Sequence, residues 1–166
     1  AAAIIDMGPV YLVAKTDPIT HVTGEIGHYA VHVNANDIAS MGGRPLWFLA
    51  TLLMPYGSSD RELKKIFSQI SKTCRELGIA YCGGHTEVTS SVNIPIVVGH
   101  MLGEVNKQHL KPTSGAQEGD DLVMTKSAAI EATAIIALEK AKELGTSFPE
   151  KFIRKAQKYL HEPGIS

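Results

Sequence analysis

Asp17 and Asp37 are the residues whose type and setting offer the sharpest chemistry in this sequence. Asp17 follows an apolar run and stands beside Pro18. Asp37 interrupts the apolar stripe Ile26, Ala30, Val33 of a helical pattern, with Asn36 next to it. Carboxylates brought from two separate elements suit magnesium, a hard ion that prefers oxygen and is usually held by one or two carboxylates plus phosphates. A third polar cluster, Gly83-Gly84-His85-Thr86, has glycines that let backbone N–H groups approach an anion closely. All three clusters fall where a strand or helix is predicted to end, which is where α/β proteins place ligands.

Plainer uses compete with each of these. Aspartate before proline is an ordinary turn residue, and a Gly-Gly pair by itself is an ordinary bend. For Asp37 the plain reading is weaker, because a carboxylate on an apolar helix face is costly unless paired or bound to metal. His28 and His32, spaced i, i+4, could take His85 as a third zinc ligand, but neither an HExxH acid nor a cysteine partner accompanies them. Lys15 carries a charge suited to phosphate, with a solvated strand lysine as the ordinary alternative. Cys82, flanked by Tyr81 and Gly83, has no neighbouring base to make it a nucleophile.

Positioning these clusters takes an alternation of strands and helices. Val10 to Lys15 reads as a strand delivering Asp17 to a turn, and Glu25 to Met41 as a helix stopped by Gly42-Gly43. Leu46 to Met54, bounded by prolines, reads as a strand buried on both faces. Ser58 or Ser59 caps a helix whose inner stripe is Leu63, Ile66, Phe67, Ile70, Cys74 and Leu77, ended by Gly78. Ile79 to Cys82 is a short strand running into the glycines, and Ile94 to Val105 is another. The β-α-β-α-β-β order gives an α/β or α+β layer. Asn106 to Asp121 is polar and reads as a linker; beyond it Leu122 to Thr125 forms a strand, Ser127 caps a helix from Ala128 to Leu144, and a shorter helix follows near Pro149 to Leu160. Domains are thus expected at 1–106 and 107–166, the second too short to complete a core of its own.

The chain has 166 residues, 44% of them hydrophobic, enough for one sizeable core. Its 16 basic and 17 acidic residues nearly cancel, which argues against a nucleic-acid groove or an anionic membrane surface. The longest apolar runs fall short of the roughly 20 residues that span a bilayer. Cys74 and Cys82 form no CxxC pair, so a reducing cytoplasm is the economical setting. Ala1 opens inside an apolar run without a signal peptide's basic region, and HEPGIS breaks off after a turn signal, so a piece of a longer chain is expected.

The stretch VHVNANDIASMGGRPLWFLATLLMP, from Val31 to Pro55, resembles the signature helix and strand of the aminoimidazole ribonucleotide (AIR) synthetase superfamily, written VND(I/L)xxxGAxP. Thr16-Asp17 resembles that family's TD element, Gly83-Gly84-His85-Thr86-Glu87 its GG(D/E/H)T element, and GAQEGDDLVMTKSAAIEATAIIA the opening of its C-terminal domain. Together these elements, in the family's order, cover nearly the whole chain, which is far more specific than any one of them. Among the branches are AIR synthetase, formylglycinamidine ribonucleotide synthetase, selenophosphate synthetase, thiamine-monophosphate kinase and the hydrogenase maturation protein HypE. The wording TDPIT, AVHVNANDIA and GGHTEV is most similar to HypE and to archaeal AIR synthase-related proteins.

This resemblance implies a PurM-like N-terminal domain, a four-stranded mixed sheet with flanking helices that pairs with a second copy to close a barrel, followed by the start of a PurM-like C-terminal domain. It implies an enzyme using ATP and Mg2+, a synthetase, ligase or kinase that activates an amide-like or acid oxygen of a small-molecule or protein-bound substrate by phosphoryl transfer. Hydrogenase maturation, with a maturation partner protein, is the specific version. On this carry-over Asp17 and Asp37 are the catalytic magnesium ligands and Asn36 orients the phosphates, while Gly83, Gly84, His85 and Thr86 line the nucleotide site; such roles are electrostatic and positional. The alternative is a non-catalytic, nucleotide-binding dimeric scaffold. It draws on His85, which stands where most branches carry an acid, and on the segment Thr125 to Glu131, which lacks two glycines of the C-terminal motif.

Overall fold

In the computed structural model, which describes residues 2–22 and 24–166, the chain divides between Ala116 and Gln117 into two units. The first carries β1 (Ala3–Asp6), β2 (Val10–Ile19), α1 (Ile26–Ser40), β3 (Arg44–Pro55), α2 (Asp60–Glu76), β4 (Ala80–Thr89) and β5 (Ile96–Asn106). Its strands form one mixed sheet in the order β1-β2-β5-β3-β4, with β3 and β4 parallel and the other pairs antiparallel. The α/β class is as expected, with five strands in place of four: β1 adds itself antiparallel to β2 between Tyr11 and Ala14.

Two local expectations change. Asp17 is not at a turn, because β2 pairs with β5 without a break from Val10 to Ile19. Pro18 is tolerated there since β1 reaches only Ala14, so the missing N–H falls on an open edge. The glycines are not a bend either, for β4 continues through them to Thr89. Their strand is re-aimed by a bulge: Phe48 pairs with Tyr81 and Leu49 with Gly83, which leaves Cys82 as the extra residue.

β3 was expected to be buried on both faces, yet it alternates. Phe48, Ala50, Leu52 and Met54 are buried, whereas Trp47, Leu49, Thr51 and Leu53 are only half-buried. Helices cover a single face of the sheet, and a mostly antiparallel sheet tolerates that arrangement. On the covered face Phe48, Leu52, Met54, Val97 and Met101 are inaccessible, each contributing on the order of 1.5–3 kcal/mol.

α1 lies close on β5 because β5 has glycines facing it. A Cβ on Gly99 would come within 2.3 Å of the Asn34 amide nitrogen, and one on Gly103 within 2.5 Å of Ile38 Cγ2. The helix is buried along Ile26, Ala30, Asn34 and Ile38, not along the Ile26, Ala30, Val33, Asp37 stripe; Val33 and Asp37 sit half-exposed beside it. α2 begins with a capping box in which Ser59 N–H donates to Glu62 Oε2 at 2.8 Å and Glu62 N–H donates to Ser59 Oγ at 3.3 Å. Its Gln69 in turn braces the start of α1, accepting from Gly27 N–H at 3.0 Å and donating to Gly24 C=O at 2.9 Å.

The second unit contains α3 (Ile130–Glu139), α4 (Ala141–Leu144) and α5 (Glu150–Gln157), gathered around Ala137, Ile153 and Ala156. Leu122 to Thr125 is not the expected strand: Leu122, Val123 and Met124 are exposed, with no neighbouring strand in this unit to complete a ladder. Ser127 does not cap; α3 starts after Ala129, which adopts φ 57, and the single helix expected to Leu144 is divided at Lys140.

Candidate functional site

Alternation along β2 places Val13, Lys15, Asp17 and Ile19 on the helix-covered face. Lys15 reaches from there toward α1, and its ammonium joins both acids: Nζ lies 2.6 Å from Asp37 Oδ2 and 3.2 Å from Asp17 Oδ2. The two carboxylates therefore converge, their oxygens separated by no more than the sum of those distances. The lysine side chain is 12% exposed and the acids about a third, so this is a half-buried cluster with one open side. The Asp37 carboxylate, with Asp17 behind it, holds the Lys15 ammonium above its ordinary pKa range, against the opposing effect of burial.

Asn34 backs this cluster. Its side-chain amide donates to Ala30 C=O at 2.8 Å and sits 3.5 Å from Asp17 C=O, while its Oδ1 is buried without a hydrogen-bond partner among the described residues. Asn36 is exposed on the neighbouring turn of α1.

The remaining candidates lie along the same line of the sheet. Asp17 pairs with Gly99, Gly99 with Ala50, and Ala50 with Gly84, giving one row across four strands. Three strand spacings separate its ends, about 14 Å. Gly84 approaches β3 so closely that a Cβ would stand 1.8 Å from Ala50 O, and its φ of +151° is one that side chains rarely adopt. Gly83, Gly84, His85 and Thr86 line a shallow hollow of about 370 Å³ with Ala50, Phe67 and Tyr81. Register places His85 beside Thr51 on the uncovered face, with Nε2 3.9 Å from Glu87 Oε2, so its imidazole and the acid pair lie on opposite sides of the sheet.

The structure thus unites Asp17, Asp37 and Lys15, sets Gly83, Gly84 and Thr86 at the far end of one row, and turns His85 away. His28 and His32 meet at a tilt with ring centroids 4.2 Å apart on α1, and among the described residues no three His, Cys, Asp or Glu side chains converge on a metal position. Lys15 is not a solvated lysine but the hub of the cluster. Carrying β2 through to Ile19 would have revealed it, since Lys15 and Asp17 then share a face with Val13. Asn34 went unrecognised as a site residue; its signal was the i, i+4 series Ile26, Ala30, Asn34, Ile38.

The acid pair, one from a strand and one from a helix, is thus held by a single cation on a half-open sheet face. Residues 1–105 match the family described as "AIR synthase related protein, N-terminal domain", and the chain belongs to that family, with its PurM-like fold. A Methanocaldococcus jannaschii protein named for hydrogenase expression and formation is 28% identical over 99% of this chain and 51% of its own length. A selenide, water dikinase of Dechloromonas aromatica is 38% identical over 69% of this chain and 33% of its own length. The chain therefore spans about half of the first relative and a third of the second. Among solved structures, HypE in complex with ATP superposes with a TM-score of 0.73 at 23% identity, covering 99% of this chain and 51% of that one. A thiamine monophosphate kinase complexed with AMPPCP and TMP superposes with a TM-score of 0.78 at 19% identity, covering 99% and 53%. Both likenesses establish the fold.

Proposed function

We propose that this chain forms the nucleotide-binding part of an ATP- and magnesium-dependent phosphoryl-transfer enzyme, with hydrogenase maturation of the HypE kind as the specific role. One observation carries the reading: Asp17 and Asp37, delivered by different elements, already share a cation, the Lys15 ammonium. Two half-exposed carboxylates with an open side are the oxygen donor set that Mg2+ takes from protein, leaving its other positions to phosphate and water. When bound, the metal would neutralise phosphate charge during transfer of a phosphoryl group to an amide-like or acid oxygen.

The chain's own residues divide the rest of the work. Asp17 and Asp37 hold and orient the metal-bound phosphates, and Asn36, exposed beside Asp37, orients them from the helix. Gly83, Gly84 and Thr86, with the backbone of His85, border the hollow that receives the rest of the nucleotide, a span of about 14 Å along the sheet row from the acids. Residues 1–106 supply this site and 107–166 open the second domain. The uncovered sheet face, with Leu12, Leu49, Leu53, Val98 and Leu102 half-exposed, is the surface by which two copies close a barrel. The setting is the cytoplasm, in keeping with free Cys74 and Cys82.

Calorimetric titration of the full chain with Mg2+ and AMPPNP tests this. Asp17→Asn and Asp37→Asn are expected to weaken binding by about tenfold or more, the loss of a charge-assisted contact. Binding equal to wild type in both variants would overturn the assignment. Phosphorus NMR of the same mixtures with ATP distinguishes an enzyme, which releases phosphate, from a scaffold that binds without turnover.

A further inference from the structure

Lys15 gives the acid pair a cation of its own, and that has a consequence for the order in which ligands enter. Its ammonium lies within 3.2 Å of an oxygen of each carboxylate, in the space a metal ion shared between them would need. Two cations cannot occupy that space together without strong repulsion, which a half-buried setting screens less than bulk water does. A divalent ion must therefore displace the ammonium, and an ammonium 12% exposed finds little water where it stands. A phosphate delivered with the metal offers the displaced Nζ a new anionic partner, whereas a metal arriving alone offers none.

We propose that Lys15 is a built-in counter-cation that makes divalent-metal binding at Asp17 and Asp37 conditional on phosphate, its ammonium leaving the carboxylates only when a polyphosphate is present to receive it. Lys15 is in this sense a positioning residue: it keeps the two acids together while no metal is bound and then joins the phosphate side of the ligand. The proposal rests on the reading that Asp17 and Asp37 are the metal ligands, and it goes further by assigning a binding order.

The test measures Mn2+ binding to the full chain by electron paramagnetic resonance, with and without AMPPNP, so that turnover is not the readout. In the wild type AMPPNP is expected to tighten Mn2+ binding by about tenfold or more, a coupling of ordinary size between two sites. In Lys15→Met and Lys15→Gln, Mn2+ alone should bind more tightly than in wild type and the coupling should shrink, while Lys15→Arg should retain it. Circular dichroism confirms that each variant is folded. Mn2+ binding to wild type that is equally tight with and without AMPPNP overturns the proposal without any variant. An unchanged coupling in folded Lys15→Met also overturns it. Mn2+ binding that survives Asp17→Asn and Asp37→Asn unchanged refutes the metal-site reading itself, whereas loss in those variants with no effect at Lys15 refutes only the binding order.

Discussion

Gly99 is where one added methyl group tests the whole geometry. A Cβ there would stand 2.3 Å from Asn34 Nδ2, 2.9 Å from Phe48 Cε2 and 3.1 Å from Asn34 Cγ, whereas ordinary van der Waals contact begins at 3.4 Å. Relief of about an ångström is needed, and the neighbours have little freedom to give it: Asn34 and Phe48 are both fully buried. Gly99→Ala is therefore an overpacking change, expected to cost about 2 kcal/mol and to lower the melting temperature by roughly 5–8 °C. Thermal and urea unfolding followed by circular dichroism measure this directly. The same clash predicts partial rescue: in Asn34→Ala/Gly99→Ala the penalties should fall short of additivity by about 0.5 kcal/mol or more, because the methyl then enters space the amide has left. If Gly99→Ala is as stable as wild type, α1 does not approach β5 as closely as the fold requires, and the placement of Asp37 beside Asp17 loses its support.

Gly84→Ala, whose Cβ would meet the Ala50 carbonyl at 1.8 Å in a conformation foreign to side chains, is expected to destabilise by about 2–4 kcal/mol and to disturb β3–β4 pairing. Hydrogen exchange should show faster opening of β4 amides, and unchanged protection would refute the close approach. Burial pushes the Cys74 thiol from 9.0 up to about 12, so the folded state keeps a proton that the unfolded chain releases earlier. That stabilising contribution is complete below pH 9 and declines as the pH rises toward 12; Cys74→Ala should flatten the decline in urea-unfolding free energy across this range, and an identical slope in both proteins would refute the assignment.

Much of this architecture was legible because burial and helix punctuation leave strong marks. Ser59 and Glu62 spell out their capping box, and Gly78 closes α2 at φ +67°, as a helix-ending glycine does. The acids were legible too, since a carboxylate at Asp37 has few uses beside a buried helix face. What escaped was strand continuity. Pro18 and the Gly83-Gly84 pair are turn signals by local preference, and only their pairing with β5 and β3 overrides it. Missing that continuity hid Lys15, whose side becomes evident only when β2 is carried through to Ile19. α1 posed a different difficulty: almost every side of it is covered, so apolar spacing alone could not choose between the stripe through Asn34 and the stripe through Asp37. Leu122 to Thr125 has the composition of a strand, but strand propensity needs a neighbour before it becomes a ladder.

The bulge at Cys82 also fixes the phase of everything after it in β4. Were Cys82 instead to pair in the ladder opposite Leu49, each later residue would slip by one partner and turn over: Gly84 would stand opposite Thr51 on the uncovered face and His85 opposite Leu52 on the covered one. Such a slip would do more than straighten a strand. It would exchange the two sides of β4 from Gly83 to Thr89, moving Glu87 beneath the helices and Thr86 out from under them.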